Sequence, residues 1–235
     1  LVPEPQSPSP HIPEAAEQLA EKIRRRQVKC GVIGLGFIGT TLVEALAQAG
    51  LTVSGFDRAP PAVSRCLDHL QRTTSGTGQI EVSGEPAVLA DVDVVFVAIR
   101  VLPLPDGTFD LEPLRNAAAI LRDLRRGPQL CLVASTLPPG TMQDFGAWMA
   151  AGDGDDTTLF VAHAPERLSV GHDWQTLKRT PHLVAGLDPV STELGQLMLA
   201  CVCDEVVAAS TPEVTELSKL LENAFLSVGI ALVGE

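Results

Sequence analysis

The sequence predicts an α/β protein, a Rossmann-type doubly wound parallel sheet followed by the start of a long central helix. Three observations predict it. Strand-like and helix-like segments alternate from Val28 onward, the strands are near-continuous runs of Val, Ile and Leu, and the last 25 or so residues carry a sustained helical pattern. Apolar strands separated by helices are the mark of a parallel sheet covered on both faces.

The elements follow in order. Residues 1–12, "LVPEPQSPSPHI", are rich in Pro and Ser and are expected to form a flexible arm. "PEAAEQLAEKIRRR" starts on Pro, has acids in its first turn and Arg at its end, so a short surface helix closes the segment 1–27, with Arg24–Arg26 as its solvated end. Then "VKCGVIG", "TTLVEALAQAG" and "LTVSGFD" read as β-α-β, with Gly50 stopping the helix. Further strands are expected at "DVVFVAI", "LCLVAST", "TLFVAHA" and "HLVAG", with a helix at "LEPLRNAAAILRDLRRG". Residues 28–208 are thus the predicted Rossmann domain. From 209 to 235, Val214, Leu217, Leu221, Ala224, Val228 and Ala231 alternate three and four apart, an apolar seam suited to another helix.

Composition narrows the partners. Seventeen basic against 29 acidic residues give a formal charge of -12, which argues against binding the phosphate backbone of nucleic acid. No uninterrupted apolar run reaches the roughly 18 residues that span a bilayer, and no signal pattern opens the chain, so a cytoplasmic protein without a membrane partner is expected. Five cysteines, Cys30, Cys66, Cys131, Cys201 and Cys203, have no framework spacing and suit a reducing compartment. Cys201 and Cys203 could be half of a metal site, but no matching Cys/His pair follows, and no metal is expected.

The first strand-to-helix turn reads Gly34-Leu35-Gly36-Phe37-Ile38-Gly39, a dinucleotide-binding fingerprint in its required β-α-β context. The glycines serve a tight turn, close approach to a pyrophosphate, and helix–strand packing. Asp57 falls at the end of the second strand, about 20 residues on, where a carboxylate can accept hydrogen bonds from ribose hydroxyls. It would repel a 2′-phosphate, so NAD is expected rather than NADP, although the adjacent Arg58 could face such a phosphate or lie over adenine. The expected cofactor contacts are Gly34, Gly36, Phe37, Ile38, Gly39, Asp57 and Arg58. A Gly-rich turn that binds nothing is the plainer alternative.

Four segments resemble the UDP-glucose/GDP-mannose dehydrogenase family, the nucleotide-sugar 6-dehydrogenases: "VIGLGFIGTTLVEALAQAGLTVSGFDR", "LVASTLPPGTM", "APERLSVG" and "EVTELSKLLENAFLSVGIALVGE". The resemblance covers nearly everything after Val28. It implies oxidation of a sugar C6 alcohol to a carboxylate with two NAD, through an aldehyde and a cysteine-bound thioester. It places Ser135 and Thr136 beside the nicotinamide, with Thr136 helping to hold the hydrolytic water. Glu166 is then the general base on that water, a role that partial burial favours. Lys219 and Asn223, four apart on one helix face, stabilise negative oxygen at C6. The bland readings are a hydroxyl capping a turn, a loop glutamate in solvent and a solvated helix face. The A-P-E-R form looks closer to the branch acting on UDP-N-acetylhexosamines, and the terminal helix is expected to build a homodimer.

The sequence also departs from the pattern. The family's cysteine sits in a Gly-rich segment beyond the central helix, and none of the five cysteines here has such surroundings. The chain is therefore expected to be the N-terminal part of a larger enzyme, or a shortened relative. "AIRVLPLPDG" replaces a Val-Pro-Thr-Pro stretch, Leu226 stands where an Arg is common, and Gly234-Glu235 replaces Asn-Glu. Two other readings compete: a β-hydroxyacid dehydrogenase, which also joins a Rossmann domain to a Lys and Asn on a following helix, and a catalytically silent NAD-binding or assembly module.

Overall fold

A computed structural model describes residues 13–73, 78–151, 158–168, 171 and 173–234. The expected arm over 1–12 lies outside the described residues. The chain opens with α1 (Glu14–Arg24), β1 (Lys29–Ile33), α2 (Phe37–Gln48), β2 (Thr52–Phe56), α3 (Pro60–Thr73) and β3 (Ile80–Ser83). After a 3₁₀ turn at Pro86–Leu89 come β4 (Val94–Val97), a small hairpin of β5 (Leu102–Pro103) and β6 (Phe109–Asp110), α4 (Glu112–Leu124) and β7 (Gln129–Val133). The chain then runs through α5 (Thr141–Ala150), β8 (Leu159–His163), α6 (Trp174–Arg179), β9 (His182–Gly186), α7 (Pro189–Leu199), β10 (Val206–Ala208) and α8 (Pro212–Gly234).

Eight strands form one sheet in the order β10-β9-β8-β7-β4-β1-β2-β3. The chain winds outward in both directions from β1 and β4, so the α/β class and the double winding are as expected, and β3 and β10 are two strands the apolar-run reading misses. Their patterns explain the omission: Ile80–Ser83 and Val206–Ala208 contain no buried residue, as suits short edge strands.

One expectation is corrected. The sheet is not parallel throughout, because β8 and β9 pair antiparallel, with Ala162 opposite Gly186 and His163 opposite Ala185. The connection between them carries only the six-residue helix α6, which rises about 9 Å, less than the roughly 16 Å of a five-residue strand. The 11 residues of α7 do span that length, and β10 pairs parallel with β9.

Helices cover both faces. On one, α1, α2, α3 and α7 enclose Leu19, Ile23, Leu46, Cys66, Phe96 and Met198; on the other, α4 and α5 enclose Val95, Leu114, Leu121, Phe145 and Met149. The stripe Ala16, Leu19, Ala20 and Ile23 of α1 is buried in the same core as the sheet. The Arg26 guanidinium is more than a solvated end: it donates to the carbonyls of Ala49 (2.8 Å) and Cys201 (3.3 Å), tying α1 to the ends of α2 and α7.

Helix α8 is buried against the domain at its start, through Pro212, Thr215 and Glu216. Val214, Leu217, Leu221 and Val228 of the expected seam are exposed, as are Phe225, Leu226, Ile230, Leu232 and Val233. By length and composition alone this 23-residue helix, with an apolar stretch of mean hydropathy 1.4, could cross a membrane, although polar residues interrupt its apolar run. Its first half is otherwise engaged, since Glu216 and Glu222 bond to the domain.

Candidate functional site

Open α/β sheets take ligands at the carboxyl ends of their strands, where the winding reverses. Here that point lies between β1 and β4. Gly34, just past β1, has φ +94°, and a Cβ on it would stand 2.6 Å from the Ala98 carbonyl oxygen, so both conformation and space require glycine. A Cβ on Gly39 would overlap the Gly34 carbonyl, which is how α2 can start hard against the strand. Consequently α2 begins at Phe37, three residues earlier than its apolar pattern suggests, with Gly36 as its cap.

These residues fit a dinucleotide. Space around Gly36 is open to 4 Å in the direction of a side chain, at a helix start whose free N–H groups favour an anion. The Asp57 carboxylate accepts the Leu35 N–H and the Ala59 N–H, both at 2.8 Å, which fixes it at the end of β2 and leaves lone pairs for hydroxyl donors. Gly34, Asp57 and Arg58 line one cleft of about 260 Å³ together with Ile99, Arg100 and Asn116. Gly39 lines neither this cleft nor the next; its place is inside the β1–α2 contact.

A second cavity of about 570 Å³ brings the remaining predicted residues together. Gly36, Phe37 and Ile38 from the glycine turn, Ser135 and Thr136 from the end of β7, Glu166 from the end of β8, and Lys219 and Asn223 from α8 all line it. Segments up to 187 residues apart in sequence thus converge on one space. Ser135 is buried and turns its hydroxyl to the Val97 carbonyl at 3.3 Å, while Thr136 is half-buried.

Glu166 is not a loop carboxylate in solvent: it is 6% exposed. One oxygen accepts the N–H groups of Arg167 (2.7 Å) and Leu168 (3.1 Å), and the other faces His182 Nε2 at 3.3 Å. The Lys219 ammonium, itself 10% exposed, bonds Glu222 at 3.2 Å, and Glu222 also takes the Arg167 guanidinium. The Arg167 hydrogen bond, followed by Lys219, holds the Glu222 carboxyl below its ordinary range, so it stays ionised.

The start of α8 is locked to the sheet end by buried polar groups. The Glu216 carboxylate accepts the N–H groups of Gly140 (2.7 Å) and Met142 (2.8 Å), capping α5 from another helix. Burial pushes its pKa up, partly offset by those two donors. The His163 Nδ1 meets the Thr215 hydroxyl at 2.6 Å and its Nε2 meets the Ser135 carbonyl at 3.0 Å. Burial lowers the His163 pKa to about 4, so it works as a neutral imidazole.

Sequence reading misses His182, Glu216, Glu222 and His163. Glu216 and Glu222 carried a legible signal, each three residues from Lys219 on a helix. The two histidines open or close apolar strands and gave none. Four of the five cysteines are buried, none lines the 570 Å³ cavity, and burial pushes Cys131 up to about 12. Among the described residues no group of three or more His, Cys, Asp or Glu could hold a metal.

A glycine turn on a helix start, a carboxylate at the end of the next strand and a cavity with convergent charged and polar side chains at the reversal of winding define a Rossmann dehydrogenase domain. The chain belongs to the UDP-glucose/GDP-mannose dehydrogenase family, whose NAD binding domain matches residues 28–199. The cofactor of this domain is NAD. An NDP-N-acetyl-D-galactosaminuronic acid dehydrogenase of Ralstonia nicotianae is 28% identical over 225 residues, 87% of this chain and 52% of the relative. A UDP-N-acetyl-D-mannosamine dehydrogenase of Methanocaldococcus jannaschii is also 28% identical, over 87% of this chain and 49% of its own. The fold matches the solved UDP-D-ManNAc dehydrogenase from Pyrococcus horikoshii with a TM-score of 0.77 at 23% identity, over 87% of this chain and 52% of that one. The chain spans about half the length of the curated relatives it matches.

Proposed function

We propose that the whole protein is an NAD-dependent nucleotide-sugar 6-dehydrogenase. It oxidises the C6 alcohol of a UDP-N-acetylhexosamine, or of UDP-glucose, to the uronic acid. The observation that carries this reading is the convergence of Thr136, Glu166, Lys219 and Asn223 on the cavity that the glycine turn opens into. The names of the relatives favour the acetylated sugars.

In this reading residues 28–208 form the NAD-binding domain, with residues 1–27 before it and 209–235 as the start of a central helix. Gly34, Gly36, Phe37, Ile38, Gly39, Asp57, Arg58, Ser135 and Thr136 hold NAD, which when bound supplies the hydride acceptor. The Lys219 ammonium and Asn223 amide stabilise negative charge on the C6 oxygen in each oxidation step. Thr136 orients a water and the Glu166 carboxylate takes its proton as it attacks the acyl carbon. The thiol that holds that carbon comes from outside this chain, since none of its cysteines lines the cavity. The exposed apolar length of α8 pairs with a second copy, and the protein works in the cytoplasm.

The test is to express the complete reading frame and assay UDP-glucose and UDP-N-acetylhexosamines. Two NADH per sugar are expected with at least one of them. Turnover of a short hydroxy acid alone would instead mark a β-hydroxyacid dehydrogenase. NAD binding without turnover, unchanged by Lys219→Ala or Glu166→Gln, would mark a silent binding module.

A further inference from the structure

We infer that His182 is a positioning residue for Glu166: as an imidazolium at the start of β9, it anchors the carboxylate at the cavity wall and fixes its orientation there. This rests on the reading of Glu166 as the general base.

The geometry comes from the antiparallel pair. Continued by three residues past His163 and Ala185, the β8–β9 register sets position 166 opposite position 182. His182 is 2% exposed, and its two ring nitrogens are both engaged. Nδ1 lies 2.6 Å from the Thr180 carbonyl oxygen, which can only accept, so this nitrogen carries a proton. Nε2 lies 3.3 Å from the Glu166 carboxylate oxygen, an acceptor again when ionised. A neutral ring protonated at Nδ1 would set an Nε2 lone pair against that oxygen, whereas the doubly protonated ring satisfies both acceptors. The other titratable group against the ring is the Cys203 thiol, from the α7–β10 connection. Burial works against charge on His182, but the bonds from Cys203 and Glu166 outweigh it and hold the imidazole above its ordinary range.

The second Glu166 oxygen is held by the N–H groups of Arg167 and Leu168. Each oxygen therefore has a fixed donor, and together they set the rotation of the carboxylate. A carboxylate so fixed keeps one orientation in the cavity that Thr136 also lines, the order a general base needs. His182 is not among the residues that line the 570 Å³ cavity and acts only through Glu166.

The experiment labels the protein with ¹⁵N-histidine and follows the His182 ring nitrogens by NMR at pH 7, beside turnover of the protein from its complete reading frame. Two protonated nitrogens are expected in the native protein and one in Glu166→Gln. In His182→Gln, kcat is expected to fall about ten- to a hundredfold, as for outer partners of other site residues, with NAD affinity and sugar KM within about twofold. A singly protonated His182 ring at pH 7 overturns the inference, whatever the variants do. So does native kcat in His182→Gln when Glu166→Gln is slow, and in that case the general-base reading survives. Native kcat in Glu166→Gln overturns the general-base reading, and the role assigned to His182 with it.

Discussion

The carboxylate of Glu216 accepts the backbone N–H of Gly140 at 2.7 Å, so the helix that carries Lys219 is fastened to the loop that leaves Thr136. A second bond from the Met142 N–H completes the cap, in a site with no solvent access to Glu216. Glu216→Ala leaves two donors of a helix start unsatisfied in the interior. We expect a loss of about 2–4 kcal/mol of stability, read by urea denaturation. Glu216→Gln, which keeps one acceptor oxygen, should lose less.

The neutral, buried His163 makes the fold acid-sensitive. Its pKa is about 4 in the folded protein against 6.5 as its ordinary value, so the unfolded chain binds the proton more readily between these limits. Its contribution is complete above about pH 6.5 and is lost as pH falls toward 4, in all about 3 kcal/mol. Urea titrations across that window should show the slope, and His163→Gln should flatten it.

His182 acts with the opposite sign. Its folded pKa lies above 6.5, so its contribution is whole below about pH 6.5 and is lost as pH rises through the folded value. Stability of the native protein should therefore decline on the alkaline side more steeply than that of His182→Gln. Equal slopes would contradict the pairing.

NAD affinity should follow the glycine turn and the carboxylate beside it. Gly39→Val drives a side chain into the Gly34 carbonyl and should abolish NAD binding in calorimetry while lowering thermal stability. Asp57→Ala removes a charged acceptor and the anchor of the Leu35 N–H, and about a ten- to hundredfold weaker Kd is expected.

Outward-facing α8 residues should govern association. Phe225 is 81% and Val228 68% exposed on the isolated chain. Sedimentation of the protein should give a dimer, and Phe225→Asp with Val228→Asp should give monomers without loss of NAD binding. Flotation of the native protein with lipid vesicles would point instead to a membrane role for this helix.

What the sequence by itself determined is what depends on neighbours along the chain. The alternation of apolar runs and helices dictated the doubly wound sheet. Gly34 to Gly39 followed by Asp57 marked the nucleotide turn, because each of those residues answers a local need of turn, helix start or strand end. The four-residue spacing of Lys219 and Asn223 put them on one face before any fold was known. What only the tertiary structure decided is what stands across from what. The chain reverses between β8 and β9, and that reversal, invisible in the apolar pattern, carries His182 to where Glu166 sits. The burial of Glu166 and the grip of Glu216 on α5 likewise arise from segments far apart in sequence. A pattern read along the chain reports which side of an element is apolar, but only packing settles which polar group finds its partner in the interior.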